Sequence, residues 1–471
     1  MKYNIILILS LLLYFNPEAQ CIVNKDTAGF HLQIENSARR GEKIYLGQYW
    51  NGQTYAKDST LFSDKGVAIF NFDKEMNAGQ YFLYIKPNFQ IDFLLDAGQN
   101  NLKMYIDENN LSKSTITGSP DTELLWKYLD MMQKADIKKA ALEEQLTDSL
   151  LSEKKRKEIN TSLVKIEHEI QVQTDKLIKD NPNSWFTHFT KGMEMIKLPF
   201  EKPKNADEFN QNKQYGVDHF FDNINLQDPR FWHTNYLISY IDAYMRNWVE
   251  QVPDSLATAA SRLVSKAKGN AICFENMLSY LTNQSIKSNV MGDENIWAKL
   301  YEDHIENENL PWIDSTQRAD LKKMYEPIKN NRIGMQAHNL TLKTMSGQVV
   351  ETNQISSEYL ILYFYDPHCG HCQTSVPAVY EKLYSKYKDK GLEIVAINIS
   401  TDEQDWKKFV DEHQLTDWFN CHDPNYKSEY WMYYNTTGIP AVYVLNKNKT
   451  IIAKSIDEKN LEKLFDFYLN K

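Results

Sequence analysis

The chain is poor in cysteine, poor in the residues that break regular structure, and without an excess of basic charge. Its 471 residues include five cysteines, 17 glycines and 14 prolines. With 42% hydrophobic and 13% aromatic residues beside them, such low glycine and proline contents exclude a fibrous or disordered chain. The length exceeds the ~250–300 residues at which a single core usually stops growing, so two or three globular domains are expected. Asp and Glu outnumber Lys and Arg by 63 to 53, for a formal charge of −10. No basic stripe is segregated from this acidic background, which argues against nucleic acid as a partner.

Long apolar runs are also missing beyond the first residues. Lys2 precedes a largely apolar stretch from Ile5 to Phe15. That is too short for the ~20 residues of a spanning helix but fits the ~7–15-residue core of a secretory signal. Residues 1–20 are therefore expected to be an export signal, cut near Ala19, with the mature chain outside the cytoplasm. Cys21 offers a lipid-modified N-terminus as an alternative and the one route to membrane attachment, although Glu18 and Gln20 suit such a site badly. In an oxidising compartment a disulfide-stabilised chain would carry an even, well-spread set of cysteines. Cys21, Cys273, Cys369, Cys372 and Cys421 are not such a set. Cys273, in "AICFENML", reads as a buried free thiol.

Three patterns follow one another. Residues 22–118 alternate with period two, as at Phe30, Leu32 and Ile34 and at Ile91, Phe93 and Leu95, between turns such as "SDKG" and "DAGQN". This predicts an antiparallel β domain without chemistry of its own. Ser119 and Pro120 then supply an N-cap and a first helical position, and residues 119–332 show helical spacing, which predicts a mostly α-helical domain. The mixed charges of "LEEQLTDSLLSEKKRKEIN" suit a solvated helical hairpin, and Phe220, Phe221, Phe231, Trp232, Tyr236 and Tyr240 suit a core. Residues 333–471 alternate buried strands ("LILYFY", "GLEIVAINIS", "IPAVYVLN", "TIIAKSI") with helices, predicting an α/β sheet covered on both faces. Ser400 and Glu403 read as a capping box in this segment.

The chemistry sits in "YFYDPHCGHCQTSVP". Cys369 falls where a strand ends and a helix begins, facing unpaired N–H groups that favour a thiolate. Such settings lower a cysteine pKa from ~8.5 to roughly 3.5–7.5, and the thiolate is what attacks a disulfide. Cys372, one turn on, can close a ring with it. Cys369 is thus the expected nucleophile and Cys372 the resolving thiol, with His371 between them as a cationic or hydrogen-bonding partner of the thiolate. His368, Cys369, His371, Cys372, Cys421 and His422 could instead supply four metal ligands, but no second close cysteine pair accompanies the first. An inert staple would close too small a loop to restrain the unfolded chain much. Redox exchange, which needs no organic cofactor or metal, is the preferred reading.

"CGHC" between strand and helix, with "TGIPAVYVLN" downstream, resembles the thioredoxin fold, and more narrowly the TlpA/ResA-like thiol-disulfide oxidoreductases of bacterial envelopes. The resemblance implies that Pro440 is a cis proline, presenting the backbone of Ile439 beside the active sulfur. It also implies a periplasmic or envelope location, partners that are protein thiols and disulfides, a separate electron donor, and a lean towards reduction. Pro377 matches a proline of the family's active-site helix. Two positions depart from the pattern: Tyr363 stands where a buried Asp is usual, and Ser375 where a Glu is common. Asp366, the nearest acidic residue, reads as a turn carboxylate. Two other readings have their own signatures. A thiol peroxidase needs Thr or Ser where Asp366 stands, and a binding or scaffold protein would use residues 22–332 with the thioredoxin module as an auxiliary.

Overall fold

The computed structural model describes residues 29–148 and 151–469. The expected export signal and Cys21 lie outside the described residues. The described residues form two compact units, one running to Trp248 and including Lys266–Met277, the other made of Val249–Ser265 and the chain from Leu278 onward.

In the first unit the period-two segments become β1 (Phe30–Glu35), β2 (Lys43–Trp50), β3 (Gln53–Leu61), β4 (Val67–Phe72), β5 (Gly79–Ile85), β6 (Phe89–Leu95), β7 (Asn101–Tyr105) and β8 (Thr115–Thr117). They make two four-stranded sheets, ordered β4-β1-β7-β8 and β3-β2-β5-β6. Phe30, Leu32 and Ile34 are buried while their neighbours are only half-buried, as alternation across a pleat requires. The pairing is antiparallel except between β1 and β7, which run parallel. A parallel pair needs a long crossover, and strands β2 to β6 provide it.

Ser119 caps α1 (Pro120–Leu146) by accepting the Thr122 amide at 3.2 Å, with Pro120 in the first turn. α2 (Glu153–Asp180) returns against α1, with Lys139 and Glu167 at 3.6 Å, and most of its surface is exposed. α3 (Trp185–Gly192), α4 (Ala206–His219) and α5 (Leu237–Ala243) follow. Phe221, Phe231, Trp232 and Tyr236 are buried here, while Phe220 and Tyr240 are half-buried. Cys273 is fully buried, and that burial pushes its thiol up to about 12.

The boundary between the units runs through α6 (Pro253–Ala267) and α7 (Ala271–Lys287), and α8 (Glu294–His304) and α9 (Ser315–Tyr325) belong to the second unit. The remaining elements are β9 (Thr341–Thr344), β10 (Val349–Glu351), β11 (Tyr359–Tyr365), α10 (Gly370–Val379), α11 (Ser385–Tyr387), β12 (Leu392–Asn398), α12 (Glu403–Glu412), β13 (Phe419–His422), α13 (Tyr430–Tyr433), β14 (Ala441–Asn446), β15 (Ile451–Lys454) and α14 (Glu458–Leu469). Their seven strands form one sheet, ordered β10-β9-β13-β12-β11-β14-β15. β11 lies between a parallel β12 and an antiparallel β14 and is buried on both faces, which is why it reads as an unbroken apolar run. Leu360, Leu362 and Phe364 join the core on one face, and Ile361, Tyr363 and Tyr365 join the core on the other, which also holds Cys372.

Two details depart from the sequence reading. The β9–β10 hairpin was not expected, although Leu342 and Val350 turn inward from either side of a turn at Gly347. The capping box at Ser400 and Glu403 does not form. Asp402 is the N-cap of α12, its carboxylate accepting the amides of Gln404 and Asp405 at 2.9 Å each, while the Ser400 amide is bound by the Asn398 side chain. Among the described residues no helix is long and apolar enough to cross a membrane.

Candidate active site

β11 delivers the chain to a turn at Asp366–His368, from which α10 departs with Cys369 as its N-cap. The turn is held from within. The Asp366 carbonyl accepts the Cys369 amide at 3.0 Å, and the Asp366 carboxylate accepts the His368 amide at 2.8 Å. The His368 ring lies between two carboxylates, with Nδ1 3.0 Å from Asp366 and Nε2 2.9 Å from Asp405 on α12. Those two carboxylates hold the imidazole pKa above its ordinary value. Asp366 is thus occupied as a turn carboxylate.

The two sulfurs differ sharply in setting. Cys369 is half-buried and Cys372 is fully buried, and both are free thiols. The Cys369 side chain takes no hydrogen bond from the first helical amides; its thiol donates to the Ile439 carbonyl at 3.6 Å. Cys372 packs with Val376, Val379 and Tyr363, and burial, reinforced by the neighbouring Cys369 sulfur, pushes its thiol up to about 12.

The Ile439–Pro440 peptide bond is cis. Pro440 and His371 line a cleft of about 550 Å³ together with Tyr363, Ser375, Asn435 and Glu458. His371 is exposed and, among the described residues, makes no hydrogen bond to either sulfur. The structure therefore brings Cys369, Cys372 and the Ile439–Pro440 backbone together, with His371 at the cleft beside them. It does not assemble the alternative metal ligands. Cys421 and His422 are buried on β13, where His422 Nε2 bonds the Ser400 carbonyl at 2.8 Å. Among the described residues the one group of three potential ligands is His368, Asp402 and Asp405, all exposed, with Asp402 already capping α12.

Sequence reasoning named Tyr363 and Ser375 only as departures from a pattern. Their hydroxyls are hydrogen-bonded to each other at 2.9 Å, Tyr363 donating. Burial raises the Tyr363 pKa far above the ordinary tyrosine range, so its hydroxyl stays protonated at neutral pH. Glu458 carried no signal in the sequence, because its place at the cleft follows only from the docking of α14.

Known proteins resemble the last third of the chain. The thioredoxin-like family model matches residues 357–451. The thiol-disulfide oxidoreductase ResA of Halalkalibacterium halodurans is 34% identical over 85 residues, 18% of this chain, so that the chain spans 48% of that relative's length. ResA of Oceanobacillus iheyensis is 30% identical over 138 residues, 28% of this chain and 69% of that protein. Among solved structures, a domain of a possible thiol-disulfide isomerase from Cytophaga hutchinsonii matches at 33% identity and TM-score 0.28, covering 29% of this chain and 92% of that one. A thioredoxin-like protein from Bacteroides caccae matches at 22% identity and TM-score 0.42, covering 59% of this chain and 99% of the other. With a thioredoxin-like segment that carries the paired cysteines, and with this identity across more than two thirds of a curated relative, the chain belongs to the ResA-like thiol-disulfide oxidoreductases of the thioredoxin-like family.

Proposed function

We propose that the protein is an exported thiol-disulfide oxidoreductase whose Cys369–Cys372 dithiol reduces or exchanges disulfides in other proteins of the cell envelope. The observation that carries this reading is the asymmetry of the pair: Cys369 is accessible at the start of α10 beside the Ile439 carbonyl, and Cys372 is sealed in the core one turn behind it. Attack on a bulky protein disulfide needs an exposed sulfur, and resolution needs only a second thiol that can reach the first. The Ile439–Pro440 backbone offers the groups against which an extended client segment would lie. His371, at the cleft, is the residue between the cysteines that would tune the stability of the thiolate. Export rests on the N-terminal apolar stretch, and residues 22–118 and 119–332 are assigned as a β domain and a helical domain that precede the redox domain of residues 333–471 in the chain.

The test is a trapping experiment with the full chain. Cys372→Ser, incubated with envelope proteins, is expected to retain clients as mixed disulfides at Cys369, visible on non-reducing gels and identifiable by mass spectrometry. Cys369→Ser should retain none. Equal retention by both variants, or retention by neither, would reject the assigned roles.

A further inference from the structure

Resolution of a mixed disulfide requires Cys372 to lose a proton inside the core, and the obvious carboxylate is occupied. Asp366 is bound to the His368 amide and ring. Facing Cys372 are Cys369, Asp366, Tyr363 and Tyr365, and burial pushes its thiol well above the ordinary range. The Tyr365 hydroxyl accepts the Trp406 indole N–H at 3.0 Å, within the buried interior. Tyr363 differs. It shares the core cluster of Cys372, bonds Ser375 at 2.9 Å, and with Ser375 lines the cleft of about 550 Å³. Ser375 lies three residues after Cys372 on α10, so the two share one face of the helix. Across the same cleft stand His371, Asp457 and the exposed Glu458.

We propose that the Tyr363–Ser375 hydroxyl pair is the route by which the Cys372 proton leaves the core, with the Glu458 carboxylate as its exposed acceptor in the cleft. The proposal rests on the disulfide-exchange reading above. In the first step the Cys369 thiolate attacks a client disulfide, forming a Cys369–client S–S bond and releasing one client thiolate. In the second, Cys372 sulfur attacks Cys369 sulfur, the Cys369–client bond breaks with its electron pair leaving on the second client thiolate, and the Cys369–Cys372 bond forms. The dithiol gives up two electrons and the client disulfide gains them. The Cys372 proton enters the hydroxyl pair, and a proton passes from the pair to Glu458. A hydroxyl can accept on its lone pair while giving up its own hydrogen, so the pair conducts without holding charge in the interior.

The test uses the reduced full chain and a disulfide-linked peptide bearing a fluorophore and a quencher, mixed in single-turnover stopped flow. Tyr363→Phe and Ser375→Ala are expected to leave the first phase, formation of the mixed disulfide, unchanged. Each should slow the second phase roughly 10²-fold, the lower end of what proton transfer by a positioned group contributes. The double variant should be no slower than the slower single one, since both interrupt one route. Added small buffers such as acetate or imidazole should restore the second phase in the variants in proportion to their concentration, which mere loss of packing would not allow. Glu458→Gln should lower the second phase of an intact pair and respond to buffer in the same way. A second phase at the unmodified rate in both single variants, or a slowed one that buffer leaves unchanged, overturns the relay while leaving the exchange reading intact. Absence of any first phase in the unmodified protein overturns the exchange reading, and the relay with it.

Discussion

Differential alkylation of the cysteines puts the asymmetry of the site to a direct test. Cys372, Cys273 and Cys421 are fully buried, and burial pushes each thiol from the reference value of 9.0 up to about 12. Only the thiolate reacts with iodoacetamide, and three pH units remove about a thousandfold of it at any pH below both values, equivalent to roughly 4 kcal/mol. Burial adds an access barrier, because reagent reaches these sulfurs only when the surrounding core opens. Cys369 carries no such barrier, being half-buried at the start of α10. The reduced protein should be pulsed with iodoacetamide between pH 6 and 9, quenched, and analysed by peptide mass spectrometry. Cys369 should label first at every pH, with the other three trailing by at least about a hundredfold, a figure set conservatively below the thiolate ratio. Labelling of Cys372 within tenfold of Cys369, in protein whose circular dichroism is unchanged, would refute the idea that the resolving thiol is sealed.

Three further outcomes can be checked in solution. Lys454 is buried on β15, 2.8 Å from Glu294 and 2.7 Å from the Asn331 side chain, so Lys454→Ala should destabilise the second unit by roughly 3–5 kcal/mol in urea unfolding. Lys454→Met keeps most of the side-chain volume and should cost less; a cost equal to that of Ala would show that packing is not what it restores. His233 is buried against Trp50, and burial lowers its pKa from 6.5 to about 4, so the unfolded chain binds a proton that the folded one refuses. Its contribution of roughly 3 kcal/mol is present above pH 6.5 and is lost as pH falls through that value towards 4, a slope that His233→Phe should flatten in stability measurements of the first unit. Removal of the His368 bridge by His368→Gln should loosen the turn before Cys369, read as faster amide hydrogen exchange at His368 and Cys369 with the global unfolding midpoint unchanged, because the bridge is exposed.

Local chemistry decided a large part of this molecule. Alternating burial at Phe30, Leu32 and Ile34, the Ser119 cap ahead of Pro120, and the doubly buried run of β11 each depend on a few neighbouring residues, and their spacing is enough to read them. The same holds for Cys369 at a strand-to-helix junction with Cys372 one turn behind it. Other features depended on partners far away in the chain. Either Ser400 or Asp402 could have capped α12, and the choice fell to Asp402 because the Asn398 side chain holds the Ser400 amide in the exit turn of β12. The short strands β9 and β10 carry few apolar residues and become strands because β13 offers β9 an edge to pair with. The cleft draws Tyr363 from β11, Ser375 from α10, Pro440 from the segment before β14 and Glu458 from α14, four places that no spacing rule connects. Local sequence could place the two sulfurs because helix geometry alone sets their separation, whereas the groups able to move the buried proton meet only when the sheet and its helices close around it.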